Sequence, residues 1–278
     1  MDKRSLHSTY WSIHVRSPKG SRHSAGGKDN RLLQKGLNWR RKAITKKIPL
    51  TVQTLKGKKR IEYEAKNLIC LGFAGRNRAA VMKHIEEAKK LGIIWEGSSV
   101  PVVLAASPER LTTDNTVQVK HEKTSGEVEY VILVNGPITY VTVGSDHTDR
   151  EIEKLDLQKS KDAVPKIISS SVWLYEEVKD HWDDITIRSW IQRGGIKELY
   201  QDDKLRLLLT WEDLEPVIKD HVGEDLSGTA VFAGTIPTIK QDMLFADIWE
   251  LEMFDPVLKR SLRHKYVTRI IPSDLFSV

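Results

Sequence analysis

The chain has 278 residues, of which 40% are hydrophobic and 29% charged, an ordinary balance for a globular protein. No apolar run approaches the roughly 20 residues that a membrane-spanning helix needs, so we expect neither such a helix nor a membrane partner. The single cysteine, Cys70, excludes an intramolecular disulfide and a zinc site built from several thiolates. A lone thiol also indicates a reducing compartment such as the cytoplasm.

The net charge of +6 is concentrated at the start of the chain. Residues 1–47 hold 13 Lys or Arg against Asp2 and Asp29, a net charge of +11, so the remaining residues carry −5. This distribution predicts a basic, disordered extension over residues 1–47 and an acidic folded domain over residues 48–278.

The basic extension has two further implications. Nucleic-acid recognition needs basic charge on a folded surface, so we expect no nucleic-acid partner; binding through residues 1–47 is the less favoured alternative. A segment poor in acids and rich in Arg and Ser is also similar to an organelle transit peptide, which leaves a mitochondrial location open beside a cytoplasmic one.

Residues 48–124 have the pattern of strands followed by a helix. Alternating apolar and polar residues at 48–52 and 60–64 predict a hairpin, and the apolar run at 67–73 predicts a further strand. Apolar positions on one side of residues 78–91 predict an amphipathic helix.

A second hairpin is predicted in the middle of the chain. Residues 130–134 form an apolar run, residues 135–137 read Asn-Gly-Pro, and residues 138–143 form the returning strand. Glu127 and Glu129 stand two apart at the entrance of the first strand. Because side chains alternate along a strand, both carboxylates project from one face and point at one spot.

The acidic segment at residues 145–150 follows the second strand and brings another carboxylate within reach of Glu127 and Glu129. Three converging carboxylates do not all stay ionised without a cation, and oxygen-only ligands favour Mg²⁺, Mn²⁺ or Ca²⁺ over zinc. A Glu-x-Glu pair at the entrance of a strand is also typical of a solvated face, so spacing alone leaves both interpretations open.

The last part of the chain gives weaker patterns. Lys161 lies in a predicted polar turn, and residues 172–182 have the character of a short linking segment. Thr210 at an N-cap position and Asp213 at the capping-box position predict a helix that begins at the next residue.

Three central motifs resemble those of the fumarylacetoacetate hydrolase superfamily, in a divergent branch of it. The superfamily carries an E-x-E on a strand, then N-D-V-S-x-R-D, and then a lysine segment, G-K-S/G-x-D, that leads to a proline. The sequence here reads EVE at 127–129, SDHTDRE at 145–151 and SKD at 160–162, before Pro165. The order of the motifs agrees, and each is altered at some positions.

The resemblance implies a fold and a domain organisation. The fold is α+β: a strand-rich, fumarylacetoacetate hydrolase-like fold, in which a mixed β-roll carries a short helical lid. Residues 48–124 would supply the N-terminal strands and the lid helix, and residues 125–278 the metal-binding core. A homodimer is implied in the same way.

The resemblance also assigns residues to a metal and a substrate. Glu127, Glu129 and Asp146 would hold Mg²⁺ or Mn²⁺, and Lys161 would act as a catalytic cation against the substrate. The residues that would bind the substrate are Arg150, Thr235 and Gln201.

Two further features concern proton transfer and specificity. His84 and Glu87 keep the His-x-x-Glu spacing of the superfamily's lid helix, one turn later than expected, which implies an acid/base pair. An exposed pair on a charged helix is the alternative. Glu153 stands three residues beyond Arg150, where relatives have a glutamine, and this replacement predicts an altered substrate preference.

The implied activity is a divalent-metal-dependent hydrolase that cleaves a carbon–carbon bond in a small oxo or diketo acid through a metal-stabilised enolate. Decarboxylation or isomerisation of a 2-oxo acid on the same site is the alternative reaction. A relative that binds metal without catalysis is the remaining possibility.

Overall fold

The computed structural model describes residues 44–90, 100–240 and 242–272, with side chains from residue 87 to residue 90 left out. The described residues form a strand-rich α+β structure within one compact unit. The strands are β1 (Lys46–Thr54), β2 (Gly57–Ala65), β3 (Asn67–Gly72), β4 (Val102–Ala106), β5 (Leu111–Thr112), β6 (Thr116–Val119), β7 (Thr124–Ser125), β8 (Val128–Asn135), β9 (Ile138–Ser145), β10 (Thr148–Asp149), β11 (Lys166–Ile168), β12 (Ser171–Leu174), β13 (Thr186–Arg193), β14 (Ile196–Lys204), β15 (Thr229–Thr235), β16 (Ile248–Asp255) and β17 (Arg260–Ile270).

Helices are few and short among the described residues. The α-helices are α1 (Arg78–Lys90), α2 (Arg150–Leu155), α3 (Leu157–Ala163) and α4 (Trp211–Val222). Short 3₁₀-helices lie at Pro108–Arg110, Tyr175–Glu177, Lys179–Asp184 and Leu205–Leu207. None of the helices in the described part of the chain is long and apolar enough to cross a membrane.

A large mixed sheet organises the fold. Its order is β2-β1-β12-β9-β8-β15-β3-β4, and β11 joins it by pairing with β9 and with β5. The β1–β12, β15–β3 and β11–β5 pairs are parallel, and the other pairs of this sheet are antiparallel. A smaller sheet has the order β14-β13-β16-β17-β6, and β7 pairs with β10 separately.

Strand β8 is buried on both faces, and its sequence is continuously apolar from Tyr130 to Val134, as expected for such a strand. Tyr130 and Ile132 point into a core that β8 shares with Trp249 and other residues of the smaller sheet. Val131 and Leu133 point into a second core, whose members all come from strands of the large sheet or the residues that flank them. The large sheet therefore curls around this second core, which gives the predicted β-roll.

The hairpin predictions are confirmed at both places. β1 pairs with β2 along their whole length, and β8 pairs with β9 from Val128↔Ser145 to Asn135↔Ile138. Gly136 takes a positive φ of 59° at the turn, a conformation that glycine adopts without steric cost. The predicted capping box is also present, because Thr210 and Asp213 exchange hydrogen bonds at the start of α4.

Two predictions for the region after β9 are wrong. Lys161 does not lie in an exposed turn but on α3, where it is buried. Residues 172–182 are not a link, because β12 lies in the middle of the large sheet and its Trp173 is completely buried. The predicted extension falls on residues 1–43, which lie outside the described part of the chain, and on the start of β1.

The close approach of strands around Gly144 gives a stability prediction. A Cβ atom at Gly144 would lie 2.6 Å from the Ile167 carbonyl oxygen and 2.7 Å from a Val131 methyl carbon. Gly144→Ala should therefore lower the free energy of unfolding by about 1–3 kcal/mol through overpacking, measured by urea denaturation. Gly72→Ala is the matched control, because among the described residues its added Cβ would meet only Val102 Cβ, at an ordinary 3.7 Å. Equal effects of the two substitutions would contradict the prediction.

Candidate metal centre

The open end of the β8–β9 hairpin brings three carboxylates together. Glu129 lies in β8, Glu127 precedes that strand, and Asp146 follows β9. The backbone N–H of Asp146 donates to the Glu127 carbonyl at 3.0 Å, which extends the hairpin pairing by one step. One oxygen from each of the three carboxylates lies within 4.8 Å of the others. Glu129 and Asp146 are buried and Glu127 is half-buried, so this is an interior cluster with one more accessible member.

Two buried lysines fix the charge of Asp146. Lys161 Nζ lies 2.6 Å from Oδ2 and Lys166 Nζ lies 2.6 Å from Oδ1. Lys166 also donates to the His147 carbonyl at 2.7 Å, so it holds the loop as well as the carboxylate. Burial alone would raise the pKa of Asp146, but the two ammonium charges outweigh it and hold that pKa below its usual range. Asp146 therefore stays ionised.

Glu129 has the opposite environment. It accepts a hydrogen bond from the Gly234 N–H at 2.8 Å. Burial, followed by the negative charges of Asp146 and Glu127, raises its pKa well above the usual range of a glutamate. A divalent cation among the three carboxylates would reverse this effect, because it would supply the opposite charge that ionised Glu129 needs.

Arg150 joins the cluster to a fourth carboxylate. Its guanidinium lies 2.9 Å from Glu127 through Nη2 and 2.8 Å from Glu153 through Nη1, and its Nε donates to Ser125 Oγ at 2.7 Å. Burial opposes the charge of Arg150, but the two carboxylates outweigh it and raise the pKa of the guanidinium. Asp149, the N-cap of α2, accepts from two backbone N–H groups and so fixes the helix that carries Arg150 and Glu153.

Gln201 and Thr235 position the strand between the two glutamates. Gln201 Oε1 accepts from the Val128 N–H at 3.1 Å, and its Nε2 donates to Thr235 Oγ1 at 2.9 Å and to the Ile236 carbonyl at 2.6 Å. Thr235 Oγ1 donates to the Val128 carbonyl at 2.8 Å. A substrate contact by Gln201 would have to replace one of these bonds, so its visible role is to hold Val128 and its neighbours in place.

The predicted acid/base pair lies on α1. His84 is exposed there, and its ring packs edge-on against Phe73 with 5.7 Å between the centroids. The side chain of Glu87 lies outside the described residues. The role of the pair in proton transfer stays a prediction.

The sequence did not predict the burial of Lys166 or the residues that contact His147. Lys166 is completely buried although it heads a short apolar strand, and only the preceding lysine motif hinted at a second cation. His147, which lies in the SDHTDRE segment, contacts Tyr266 Oη through Nδ1 at 2.9 Å, and Ser145 Oγ contacts the same oxygen at 2.8 Å. Burial, followed by the charges of Lys166 and Arg150, lowers the pKa of His147 to about 3, so its ring is neutral near pH 7.

The residues present fit a hard divalent cation. The donor set consists only of carboxylate oxygens, which Mg²⁺ and Mn²⁺ prefer. The lysine contacts leave lone pairs on both oxygens of Asp146, because an ionised carboxylate has about four acceptor sites. The acids around the centre (Glu127, Glu129, Asp146 and Glu153) outnumber the cations (Lys161, Lys166 and Arg150) by one charge.

Glu129→Gln tests the electrostatic strain of the cluster. The pKa of Glu129 is higher in the folded protein than in the unfolded chain. The free energy of unfolding therefore falls as the pH rises from the unfolded-state pKa of Glu129 through its folded-state pKa. The substitution keeps an acceptor for the Gly234 N–H and removes the charge. It should therefore raise the free energy of unfolding of the metal-free protein near pH 8 by about 1 kcal/mol or more, with a smaller gain at acidic pH.

Addition of Mg²⁺ and a control substitution separate the loss of the Glu129 charge from a general effect of replacing a glutamate by glutamine. Mg²⁺ should raise the melting temperature of the wild type and leave that of Glu129→Gln unchanged. Glu250→Gln is the control, because burial opposes the charge of Glu250 but Lys197 and Lys265 outweigh it and lower its pKa. This control should not become more stable near pH 8. A Glu129→Gln protein that is less stable than the wild type would contradict the prediction.

Comparisons with known proteins give a family and a fold. Residues 71–266 match the model of the family described as "Protein of unknown function (DUF2848)". No protein with a curated description matches the sequence.

The solved structures that resemble this one share its fold at low sequence identity. A structure of 2-keto-3-deoxyarabinonate dehydratase has a TM-score of 0.53 at 16% identity, covering 75% of either chain. The 2-keto-3-deoxy-D-arabinonate dehydratase complexed with magnesium and 2,5-dioxopentanoate has a TM-score of 0.50 at 17% identity, covering 74% of each chain.

A third structure carries the family name that the sequence motifs suggested. It is a protein from Yersinia pestis CO92 assigned to the fumarylacetoacetate hydrolase family, with a TM-score of 0.51 at 16% identity, covering 79% of this chain and 98% of that one. The predicted fold class is thereby confirmed. The chain belongs to the DUF2848 family, and it has the fold of fumarylacetoacetate hydrolase proteins.

Proposed function

We propose that this chain is a divalent-metal-dependent enzyme that acts on a small oxo or diketo acid, with hydrolysis of a carbon–carbon bond as its reaction. The observation that carries the proposal is the convergence of Glu127, Glu129 and Asp146, whose oxygens lie within 4.8 Å of one another in the interior of the fold. The proposal includes the homodimer and the cytoplasmic or mitochondrial location that the sequence predicts.

A neighbour of the same fold supports the choice of substrate class. The 2-keto-3-deoxy-D-arabinonate dehydratase was solved with magnesium and 2,5-dioxopentanoate, which is itself an oxo acid. A divalent ion bound by the three carboxylates would act as a Lewis acid on a chelated oxo group.

Lys161 is suited to stabilise negative charge rather than to remove a proton. Burial lowers the pKa of its ammonium, but the carboxylates of Asp146, Glu127 and Glu153 outweigh burial and raise that pKa above its usual value. A lysine that stays protonated cannot act as a general base, but it offers a fixed positive charge to a substrate that becomes more anionic as it reacts.

Hydrolysis also needs a group that activates water, and His84 with Glu87 on α1 is the proposed pair. Decarboxylation of a 2-oxo acid is the second candidate, because it needs no activated water and His84 lies exposed on its helix. Isomerisation and metal binding without turnover use the same three carboxylates.

Calorimetric titration tests the proposed site directly. Mg²⁺ or Mn²⁺ should bind the wild type, and oxalate, a planar mimic of the enolate form of a 2-oxo acid, should bind only when the metal is present. Glu129→Gln should weaken the metal-dependent binding of oxalate by at least about 100-fold, because even the loss of an outer partner of a metal ligand costs 10–100-fold.

Glu250→Gln is the matched control for this titration. Glu250 belongs to another Glu-x-Glu pair of the chain, lies in β16 and contacts Lys197 and Lys265. The Glu250→Gln protein should bind metal and oxalate like the wild type. A folded wild type that binds neither metal would refute the proposal, and analysis of the products from an oxo-acid screen would separate hydrolysis from decarboxylation.

A further inference from the structure

The guanidinium of Arg150 is occupied by the protein itself. Each of its three nitrogens contacts a protein oxygen at 2.7–2.9 Å: Ser125 Oγ, Glu153 Oε2 and Glu127 Oε1. The side chain of Arg150 is only 7% exposed. These contacts use three of the five N–H donors of the guanidinium, so a ligand carboxylate that reached Arg150 would lie beside the two carboxylates already paired with it.

Glu153 is held in this position by the geometry of α2. It lies three residues after Arg150, so the two side chains share a face of the helix. Only 10% of the Glu153 side chain is exposed. Asp149 caps the helix by accepting from the N–H groups of Glu151 and Ile152 at 3.0 and 3.1 Å, and β10 pairs with β7 so that Thr148 lies opposite Ser125. The cap at Asp149 and the pairing of β10 with β7 thus hold the Arg150–Glu153 pair in place.

The charge of Glu153 acts on the interior of the site. It contributes, with Asp146 and Glu127, to the raised pKa of Lys161, so it lies close enough to influence the cation on α3. An additional carboxylate brought to Arg150 would meet two like charges, Glu127 and Glu153, in a setting where little water screens them. Repulsion from these two carboxylates therefore opposes the binding of a further carboxylate beside Arg150.

We propose that Glu153 is a specificity-determining residue that makes the site select oxo acids with one carboxylate and reject those with a second carboxylate directed at Arg150. The accepted substrate would use its single carboxylate and its oxo group at the metal, and its distal end would be uncharged. This inference rests on the proposed function, and it narrows that function to monoanionic oxo acids.

Two ligands of equal chain length provide the test. 2-Oxopentanoate and 2-oxoglutarate share the 2-oxo acid group and differ in the distal end, which is a methyl group in the first and a carboxylate in the second. Their dissociation constants are measured by displacement of oxalate from the Mg²⁺-loaded full chain, so the readout does not depend on turnover. The wild type should bind 2-oxopentanoate at least about tenfold more tightly than 2-oxoglutarate.

Glu153→Gln should move this ratio by at least about tenfold toward 2-oxoglutarate, because glutamine keeps an acceptor for Arg150 Nη1 and removes the repelling charge. Glu151→Gln is the matched control: it removes one negative charge from the same helix, and Glu151 is half-exposed and contacts Lys123. Its ratio should stay within about twofold of the wild type.

The outcomes separate the inference from the proposed function. If oxalate binds the wild type with Mg²⁺ but Glu153→Gln leaves the ratio unchanged, or if the wild type prefers 2-oxoglutarate, the inference is overturned and the metal site stands. If oxalate does not bind the wild type at all, both are overturned. A wild-type preference for 2-oxoglutarate would overturn the inference even if Glu153→Gln fails to fold.

Discussion

The carboxylate of Asp146 lies between two buried ammonium groups, and the arrangement of the whole site depends on this contact. Without Lys161 and Lys166, the three carboxylates of Asp146, Glu127 and Glu129 would form a cluster of like charges with no positive charge beside Asp146 to offset them. The lysines stabilise one of the three negative charges and leave the strain on Glu129, which only Gly234 approaches as a hydrogen-bond donor among the described partners. Buried ion pairs contribute little net stability as a rule, so a contribution to folding does not by itself account for this network.

The scaffold explains how the protein tolerates that strain. Both faces of β8 are packed in cores, and β8 is hydrogen-bonded to β9 on one side and to β15 on the other. Gln201 and Thr235 then bind the backbone of Val128, between the two glutamates. The carboxylates consequently sit on one of the most constrained segments of the fold, where like charges are kept close although they repel each other.

The parts of the site that sequence could predict are those that depend on local periodicity. Alternation along a strand is enough to place Glu127 and Glu129 on one face, and the Asn-Gly turn is enough to bring Asp146 back beside them. Lys161 was misplaced because α3 has only 7 residues, too few for a helical period to show. Trp173 and its neighbours were misplaced because β12 has only 4 residues and takes its structure from the strands beside it. The burial of Lys166 against Asp146, and the contacts of Arg150 with Ser125 and Glu127, depend on segments that are distant in the sequence, which no local pattern reports.

Lys166 and Glu153 place opposite charges at two separate points around the three carboxylates. Lys166 adds a positive charge beside Asp146, and Glu153 adds a negative charge beside Arg150. Their charges cancel in the total, so a divalent cation would meet the same net charge with both residues as with neither. The distribution differs, because positive charge is reinforced near the ligand Asp146 and neutralised near Arg150. If the proposed function is correct, charge near Asp146 would act on metal binding and charge near Arg150 on the recognition of a distal carboxylate, so the two properties could be adjusted separately.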